Sequence, residues 1–443
     1  MTLEATKGLS SQSNMRKVAL TALAGTSIEW YDFFLYGAAA ALIFPTAFFG
    51  EMPQSTALIL SLLTFAAGFI ARPIGGILFG HFGDKVGRKK TLVAALMLMG
   101  IASTLIGMLP TYAMIGVTAP ILLTILRFAQ GLAVGGQWGG AMLLVTESAP
   151  SDERGFYGAY AQAGVPIGVI LANLAFIVTS SLVSEESFYS WGWRIPFLAS
   201  AILIGISMYI QLTMEDTKAF QELQSLRKDQ NTDANVIKNS PITGALKKYP
   251  MTITLAAGAF LSVQVTFYIL IAFMLAYGVT SADMERDQML SAVLIASAIM
   301  IPMLFIFSSY SDRHGRKGIF MLGAVLTALW SFAIFPLVDT GSFWLIVLAI
   351  SGGLIFVAMM YGPQAAFFTE LFSTEVRYSG ANLGYQLGAI FGGAFAPTIA
   401  TKLWLDYDIF WVSVYIGFAS LLTLLSVMYL SETYKSDLNS DAY

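Results

Sequence analysis

The first hydrophobic segment of the chain contains two acids at a spacing that permits joint chemistry. The stretch "GTSIEWYDFFLYG" places Glu29, Asp32 and Tyr36 at positions i, i+3 and i+7. These positions share one face of a helix. Two neighbouring carboxyl groups resist double ionisation, so the pair is suited to take up and release a proton. Tyr36 is a candidate binding residue, whereas Trp30 and Phe34 lie off this face and are predicted to serve packing.

Two arginines add positive charge within the hydrophobic part of the chain. Arg127 lies well inside a hydrophobic segment. Such an ionisable residue is a functional candidate by default, although it can also serve a structural ion pair. Arg72, in "ARPIGG", can bind an anion or an acid in a cavity, or extend to the polar end of its segment. Gln137 and Trp138 follow Arg127 in "GLAVGGQWGGA" and are also candidate binding residues.

The second half of the chain carries neutral polar residues instead of charges in its hydrophobic segments. The candidates are Gln264, Tyr268, Tyr361, Gln364, Asn382, Tyr385 and Gln386. Two pairs among these residues are four residues apart and share a helix face, namely Gln264 with Tyr268 and Asn382 with Gln386. Such groups can hydrogen-bond a hydroxylated or carboxylated solute. The alternative for each of them is a hydrogen bond between helices.

A loop motif, D-x-x-G-R-K, occurs after the second and after the eighth hydrophobic segment. Its residues, with the glycine that precedes the first copy, are Gly80, Asp84, Gly87 and Arg88, and then Asp312, Gly315 and Arg316. The glycine permits a sharp turn. The aspartate can accept hydrogen bonds from the N-terminus of a neighbouring helix, where the helix dipole favours an anion. The alternative is a solvated basic loop that only fixes topology.

A second motif, an acid followed seven residues later by a base, also occurs twice. Its copies are Glu147 with Arg154 and Glu370 with Arg377. They are separated by nearly the same number of residues as the two loop motifs, so the chain is predicted to be a duplicated unit. Glu147 and Glu370 are the predicted ion-pair partners of Arg88 and Arg316.

The composition indicates which elements position these residues. Of the 443 residues, 56% are hydrophobic and 12% are charged, and the mean hydropathy is +0.70. Soluble domains carry about 25% charged residues, and a bilayer-spanning helix needs about 20 mostly apolar residues. The sequence therefore predicts an all-α membrane protein with twelve spanning helices, near 18–44, 56–82, 91–109, 115–147, 155–183, 194–213, 251–279, 288–311, 317–337, 342–370, 376–404 and 409–430.

The twelve helices divide into two groups of six. The sequence predicts an N-terminal bundle over 1–213, a central loop over 214–250, and a C-terminal bundle with a short tail over 251–443. Most of the 24 Lys and Arg residues fall in the connections on one side of the predicted helices. Because basic loops stay on the cytoplasmic side, both termini and the central loop are expected in the cytoplasm.

Twelve helices in a repeat of six, with D-x-x-G-R-K after the second and the eighth, resemble the major facilitator superfamily over essentially the whole chain. "GTSIEWYDFFLYG", "FIARPIGGILFGHFGDKVGRKKTL", "RFAQGLAVGGQWGGA" and "SWGWRIPFL" are similar to its metabolite:proton symporter family, whose members carry shikimate, 2-oxoglutarate, citrate, or proline and betaine. That family usually has GGEWGG in the fourth helix, where Gln137 replaces the acid here. The resemblance implies that the repeated motifs form a cytoplasmic latch, closed in the outward-facing state.

We therefore expect a secondary active transporter of the bacterial inner membrane, which imports a small organic acid or zwitterion with protons by alternating access. The alternatives are an exporter or uncoupled facilitator on the same fold, a nutrient receptor, and a membrane-embedded enzyme. Asp32, helped by Glu29, is the expected proton carrier, and Arg127 is its alternating partner.

The expected partners are the solute, protons and the lipid bilayer, with no nucleic acid and with one chain as the working unit. No cofactor is expected, because the proton gradient supplies the energy. The chain has 2 His and no Cys, too few for the usual zinc sites, so no metal site is expected.

Overall fold

The computed structural model describes residues 3–86, 88–135, 138–213, 241–373 and 376–435. Within these ranges, the structure describes the backbone but not the side chains of residues 3–14, 17, 80–92, 138–141, 144, 207, 210–213 and 241–243. The central stretch 214–240, the larger part of the predicted central loop, therefore lies outside the described residues.

Within the described residues, the chain forms twelve long helical segments in the predicted order. Their bounds are α1 Leu3–Leu42, α2 Gln54–Val86, α3 Arg88–Met108, α4 Thr118–Gly135 and Trp138–Ser148, α5 Arg154–Leu182, α6 Arg194–Thr213, α7 Pro250–Thr280, α8 Arg286–His314, α9 Arg316–Val338, α10 Phe343–Glu370, α11 Arg377–Gly388 continuing through Ala389–Ala394 to Ala396–Asp406, and α12 Phe410–Tyr429. Eight of them are long and apolar enough to cross a membrane.

Three boundaries differ from the sequence prediction. The first helix begins at Leu3, well before its apolar part, because the polar residues before it continue the same helix. The predicted helix 115–147 is preceded by a separate turn, and the break follows from the positive φ of Gly116 (60°). The predicted loop ends in a short helix, Pro241–Lys248, with proline at its first position.

The helices pack first within each half of the chain and then between the halves. In the first half, α1 packs on α5, α2 on α4, and α3 on α6, while in the second half α7 packs on α11, α8 on α10, and α9 on α12. The two halves meet mainly along α5 and α8, with further contacts between α2 and α11 and between α1 and α7. This arrangement places α1, α2, α5, α7, α10 and α11 around the centre of the molecule.

Glycines allow α2 and α4 to approach closely enough to bury two arginines. A Cβ atom at Gly131 or Gly135 of α4 would overlap the carbonyl oxygens of Gly68 and Arg72 of α2. A Cβ atom at Gly68 would lie 2.7 Å from Nε of Arg127. The small residues at this contact allow the two helices to approach closely and therefore also set the position of both guanidinium groups.

Both α7 and α11 contain a π-helical segment next to the centre of the molecule. These segments are Ile269–Phe273 in α7 and Ala389–Ala394 in α11. A Cβ atom at Gly393 of α11 would meet the rings of Phe69 and Tyr268 at 2.8 and 3.0 Å. Such local changes of helical period are frequent at functional sites, and here they bring α11 against α2 and α7.

We expect Gly135→Ala to destabilise the protein by about 1–3 kcal/mol, because the added methyl group must displace the backbone of α2 at Arg72. The measurement is the melting temperature of the purified protein in detergent. The matched control is Gly205→Ala in α6, where a Cβ atom meets nothing within 4 Å. Equal melting temperatures for the two variants would contradict the close packing of α2 and α4.

Candidate functional site

The two arginines of the first half meet at the ring of Phe33 in α1. The guanidinium carbon lies 4.2 Å from the ring centre for Arg72 and 3.9 Å for Arg127. Both arginines are fully buried. A cation over an aromatic face is attracted by the ring quadrupole, and desolvation strengthens that attraction. Phe33 therefore holds two positive charges that α2 and α4 bring to the centre of the molecule.

Arg72 has its positive charge stabilised mainly by rings. Its guanidinium carbon also lies over Trp30 at 5.1 Å and over Phe69 at 4.4 Å. Among the described residues, none of its three side-chain nitrogens has a partner at full hydrogen-bond geometry, and the Tyr268 hydroxyl of the second half is the polar group that comes nearest to bonding with it. Buried donors of this kind are nearly always satisfied in a native protein. Arg72 is therefore suited to receive an anion, and the alternative of reaching the polar end of its segment is not observed.

Arg127 is held by one neutral hydrogen bond. Its Nη1 donates to Oε1 of Gln130 at 3.0 Å, and Nε2 of Gln130 donates to Oγ of Ser103 at 2.8 Å. Its Nε and Nη2 have no hydrogen-bond partner among the described residues. Rings of Tyr36 and Phe65 lie 4.3 and 4.6 Å from its guanidinium carbon. Arg127 thus retains donors for a further acceptor.

Asp32 is fully buried close to this pair of cations. It lies near Ser103 and Ser200, with Arg127 within electrostatic reach. Among the described residues, neither carboxyl oxygen of Asp32 has a hydrogen-bond partner, and no ion pair joins Asp32 to Arg127. An ionised carboxylate buried without a partner is costly, so this arrangement suits the protonated acid. Glu29 is only partly buried, so the two acids have different surroundings.

A narrow cavity lies between the two halves, beside the Trp30 and Tyr268 side chains that contact Arg72. It is lined by Trp30, Val165, Val263, Gln264, Phe267, Tyr268, Val357, Tyr361 and Tyr385. Of the predicted binding residues, Gln264, Tyr268, Tyr361 and Tyr385 thus line the cavity. Trp30 packs against the rings of Phe33 and Phe34, as predicted, and in addition lines the cavity, because α1 lies between the halves.

Three predicted residues lie close to the cavity without lining it. Gln364 is fully buried one helical turn from Tyr361, and its two amide atoms have no partner within the described residues. Gln386 donates from Nε2 to Oδ1 of Asn382 at 3.4 Å. Sequence reasoning missed Gln162 of α5, whose Nε2 donates to the carbonyl oxygen of Tyr361 at 3.0 Å and links the two halves.

Several predicted residues cannot be placed. Gln137 and the side chain of Trp138 lie outside the described residues, as do Gly87 and the side chains of Asp84 and Arg88, and Gly80 is described only as part of helix α2. The latch formed by the first copy of the loop motif therefore stays a prediction. The second copy is fully described.

In the second copy, Arg316 is the centre of a buried ion-pair network at one end of the molecule, here named the latch. Its Nη1 lies 2.5 Å from Oδ1 of Asp312, and its Nη2 lies 3.1 Å from Oε1 of Glu370. Asp312 also accepts the backbone N–H groups of Gly155 and Phe156, each at 2.8 Å. The aspartate of α8 thus caps the N-terminus of α5 from the other half of the chain, as the motif predicts.

The acid–base motifs cross between the halves at the latch. Glu147 of α4 pairs with Arg377 of α11 at 3.3 Å, and Glu370 of α10 lies 3.9 Å from Arg154 of α5. The structure therefore gives Glu147 a partner in the opposite half, Arg377. The predicted pair of Glu147 with Arg88 stays a prediction, because the side chain of Arg88 lies outside the described residues. These ion pairs form between the halves because the end of α4 and the beginning of α5 lie beside α10 and α11 at the interface.

Sequence reasoning also missed the residues that follow α12. Oε1 of Glu432 accepts the backbone N–H of Arg316 at 2.9 Å, and Oγ1 of Thr433 donates to Oε2 of Glu370 at 2.8 Å. Gly315 has a φ of 102° between α8 and α9, and a Cβ atom there would lie 2.8 Å from Oε2 of Glu432. The glycine of the motif is therefore needed both for the turn and for this contact.

Known proteins are similar to this chain along most of its length. The family model described as Major Facilitator Superfamily matches residues 22–380. The chain is 38% identical over 429 residues to the inner membrane metabolite transport protein YhjE of Escherichia coli K12, covering 95% of each chain. It is 36% identical over 440 residues to the shikimate transporter of the same strain, covering 97% of this chain and 98% of that one.

A solved structure shares the fold. The partially occluded inward-open conformation of the xylose transporter XylE from E. coli superimposes with a TM-score of 0.72 at 18% identity, over 96% of this chain and 100% of that one. The all-α fold with twelve helices in two bundles, predicted from the sequence, is thereby confirmed.

We expect Arg316→Gln to destabilise the closed latch by about 3–5 kcal/mol, because it leaves buried carboxylates without their cation. The measurement is the melting temperature of the purified protein. The matched control is Lys402→Gln, which removes an ion pair with Asp406. The side chain of Lys402 is 65% exposed and that of Asp406 is 45% exposed. The control should melt like the parent, and a parental melting temperature for Arg316→Gln would show that the network contributes no stability.

Proposed function

The chain belongs to the Major Facilitator Superfamily, and on that premise we propose that it imports a small organic acid or zwitterion together with protons. It is a multi-pass membrane protein and a secondary transporter, not an enzyme. Its relatives include an inner membrane metabolite transport protein and a shikimate transporter. The proposed location is the bacterial inner membrane, with both termini and the latch in the cytoplasm, and the proposed energy source is the proton gradient.

One observation carries the proposal: two buried guanidinium groups have donors without acceptors beside a cavity between the halves. Arg72 has three such nitrogens and Arg127 has two, within the described part of the chain. A carboxylate matches the fork of a guanidinium group and forms strong, charge-assisted hydrogen bonds with it. Burying two cations without a counter-ion is costly. A bound carboxylate removes part of that cost, so a substrate with at least one carboxylate fits the site best.

The proposed coupling uses Asp32 as the proton carrier, Glu29 as its helper and Arg127 as the alternating partner. When Asp32 is ionised, it attracts Arg127 and the two charges offset each other. When Asp32 takes up a proton from outside, Arg127 is released for a substrate carboxylate. The structure has the geometry expected of the second state, because the described hydrogen bond of Arg127 goes to Gln130 and not to Asp32.

The second half supplies the neutral part of the proposed site. Tyr268 lies beside Arg72, and Tyr361 and Tyr385 also line the cavity. Closure of the two halves around a bound solute therefore places hydroxyl groups against its uncharged part. Because the cavity is narrow, the proposal is limited to small metabolites.

We expect Arg72→Gln to weaken carboxylate binding about tenfold or more, since it removes charge-assisted hydrogen bonds. The measurement is the rise in melting temperature that carboxylates and betaines induce in the purified protein, because a ligand stabilises the state that binds it. Arg72→Lys keeps the charge and should retain part of the shift. An unchanged ligand-induced shift in Arg72→Gln would remove Arg72 from the binding site.

We expect the parent protein in proteoliposomes to accumulate labelled solute when the pH is lower outside, and Asp32→Asn to abolish this accumulation. The variant should still exchange labelled for unlabelled solute, because exchange needs no net proton movement. The matched control is Asp406→Asn, which removes an exposed carboxylate and should behave like the parent. Gradient-driven accumulation by Asp32→Asn at the parental level would rule out Asp32 as the coupling residue.

A further inference from the structure

The two halves also make polar contacts at the end opposite to the latch. α5 runs from Arg154 at the latch to Leu182, and α8 runs from Arg286 to His314 at the latch. At about 1.5 Å per residue, each helix places its other end about 40 Å from the latch. At that far end the first turn of α8 contacts the end of α5 and the chain that follows it.

The main contact there is a cation over a buried ring. The guanidinium carbon of Arg286 lies 4.0 Å from the ring centre of Phe188 and 5.2 Å from that of Tyr189. Phe188 is fully buried in the short π-helical turn Phe188–Gly192 between α5 and α6. Arg286 belongs to the second half and Phe188 to the first, so this contact spans the interface between them.

The residue next to Arg286 makes a second contact with the first half. Oγ of Ser180 donates to Oδ2 of Asp287 at 2.7 Å. The same aspartate accepts Nε of Arg286 through Oδ1 at 2.9 Å, which orients the guanidinium group over the ring. One turn further along, Nδ2 of Asn173 donates to the carbonyl oxygen of Leu290 at 3.4 Å.

We propose that Arg286 and Asp287 form an outer lock, which closes the periplasmic side of the cavity by holding Phe188 and Ser180 and must release them before solute can enter. This inference rests on the proposed alternating access and on the proposed orientation. The contacts join only residues at the far ends of α5 and α8, so separation of the halves at that end breaks them. The latch, about 40 Å away by helix length, does not depend on them.

The chain offers a clean background for a test, because it contains no cysteine. A single Val263→Cys in the cavity wall then reports access from outside through its rate of labelling by a membrane-impermeant thiol reagent in right-side-out vesicles. Neither a substrate nor a pH gradient is needed, so the measurement is independent of what the protein carries.

In the Val263→Cys background, we expect Phe188→Leu and Arg286→Gln to raise the labelling rate about fivefold, because each removes the cation–ring contact. Phe188→Tyr keeps the ring and should label at the rate of the Val263→Cys parent. A second pair of variants tests the hydroxyl. Ser180→Ala loses the contact with Asp287 and should also label faster, whereas Ser181→Ala should not, because Oγ of Ser181 bonds within its own helix to Val178.

The lock is overturned if Phe188→Leu and Arg286→Gln label at the parental rate while their melting temperatures show that they are folded. It is also overturned if Phe188→Tyr labels as fast as Phe188→Leu. Failure of the proposed proton-coupled import gives a different result, because it changes solute accumulation in proteoliposomes and leaves the labelling rates unchanged. Labelling of Val263→Cys from neither side, in the parent and in every variant, would overturn alternating access and the lock with it. Labelling from both sides in the parent with no response to the variants removes the lock alone.

Discussion

The structure depends on the burial of two positive charges without an ionised partner in contact. Arg72 and Arg127 are fully buried, and their guanidinium groups lie against the rings of Phe33, Phe69 and Tyr36 and the amide of Gln130. Ring faces and one amide compensate only part of the lost hydration of a guanidinium group. The surrounding helices must therefore be held firmly enough to keep the site from relaxing. The backbone contact between α2 and α4 at Gly131 and Gly135 provides that rigidity.

The latch is the opposite kind of electrostatic site, because its charges are matched. Arg316 has both Asp312 and Glu370 within ion-pair distance, and Asp312 also receives two backbone N–H groups of α5. The hydrogen bonds from α5 to Asp312 cross between the halves and are lost when the halves separate, whereas the ion pairs of Arg316 lie within the second half. The closed end is therefore stabilised by satisfied charges, while the centre retains unsatisfied ones for a ligand.

The repeated motifs of the sequence predict much of these two charged sites, whereas the pattern of hydrophobic residues predicts little of them. The duplicated loop motif correctly identifies Asp312 as a helix cap and Arg316 as the partner of Glu370. It cannot reveal that Glu147 pairs with Arg377, because each half contains its own acid and base, and only the packed interface decides between partners. The role of Phe33 is equally hidden, because an aromatic residue in an apolar helix gives no periodic signal that separates a cation-binding ring from packing.

The two halves share a fold but divide the chemistry, and this division has a physical consequence. The described charges at the centre, Asp32, Arg72 and Arg127, all belong to the first half, whereas Tyr268 and Tyr385 of the second half meet them with neutral hydroxyl groups. The halves can therefore separate at the centre without breaking an ion pair among these residues. An anion bound to Arg72 would add a hydrogen-bond acceptor between the guanidinium group and Tyr268. Recognition of the solute and closure of the halves around it would then arise from the same contacts, while the proposed proton exchange on Asp32 would involve the first half alone.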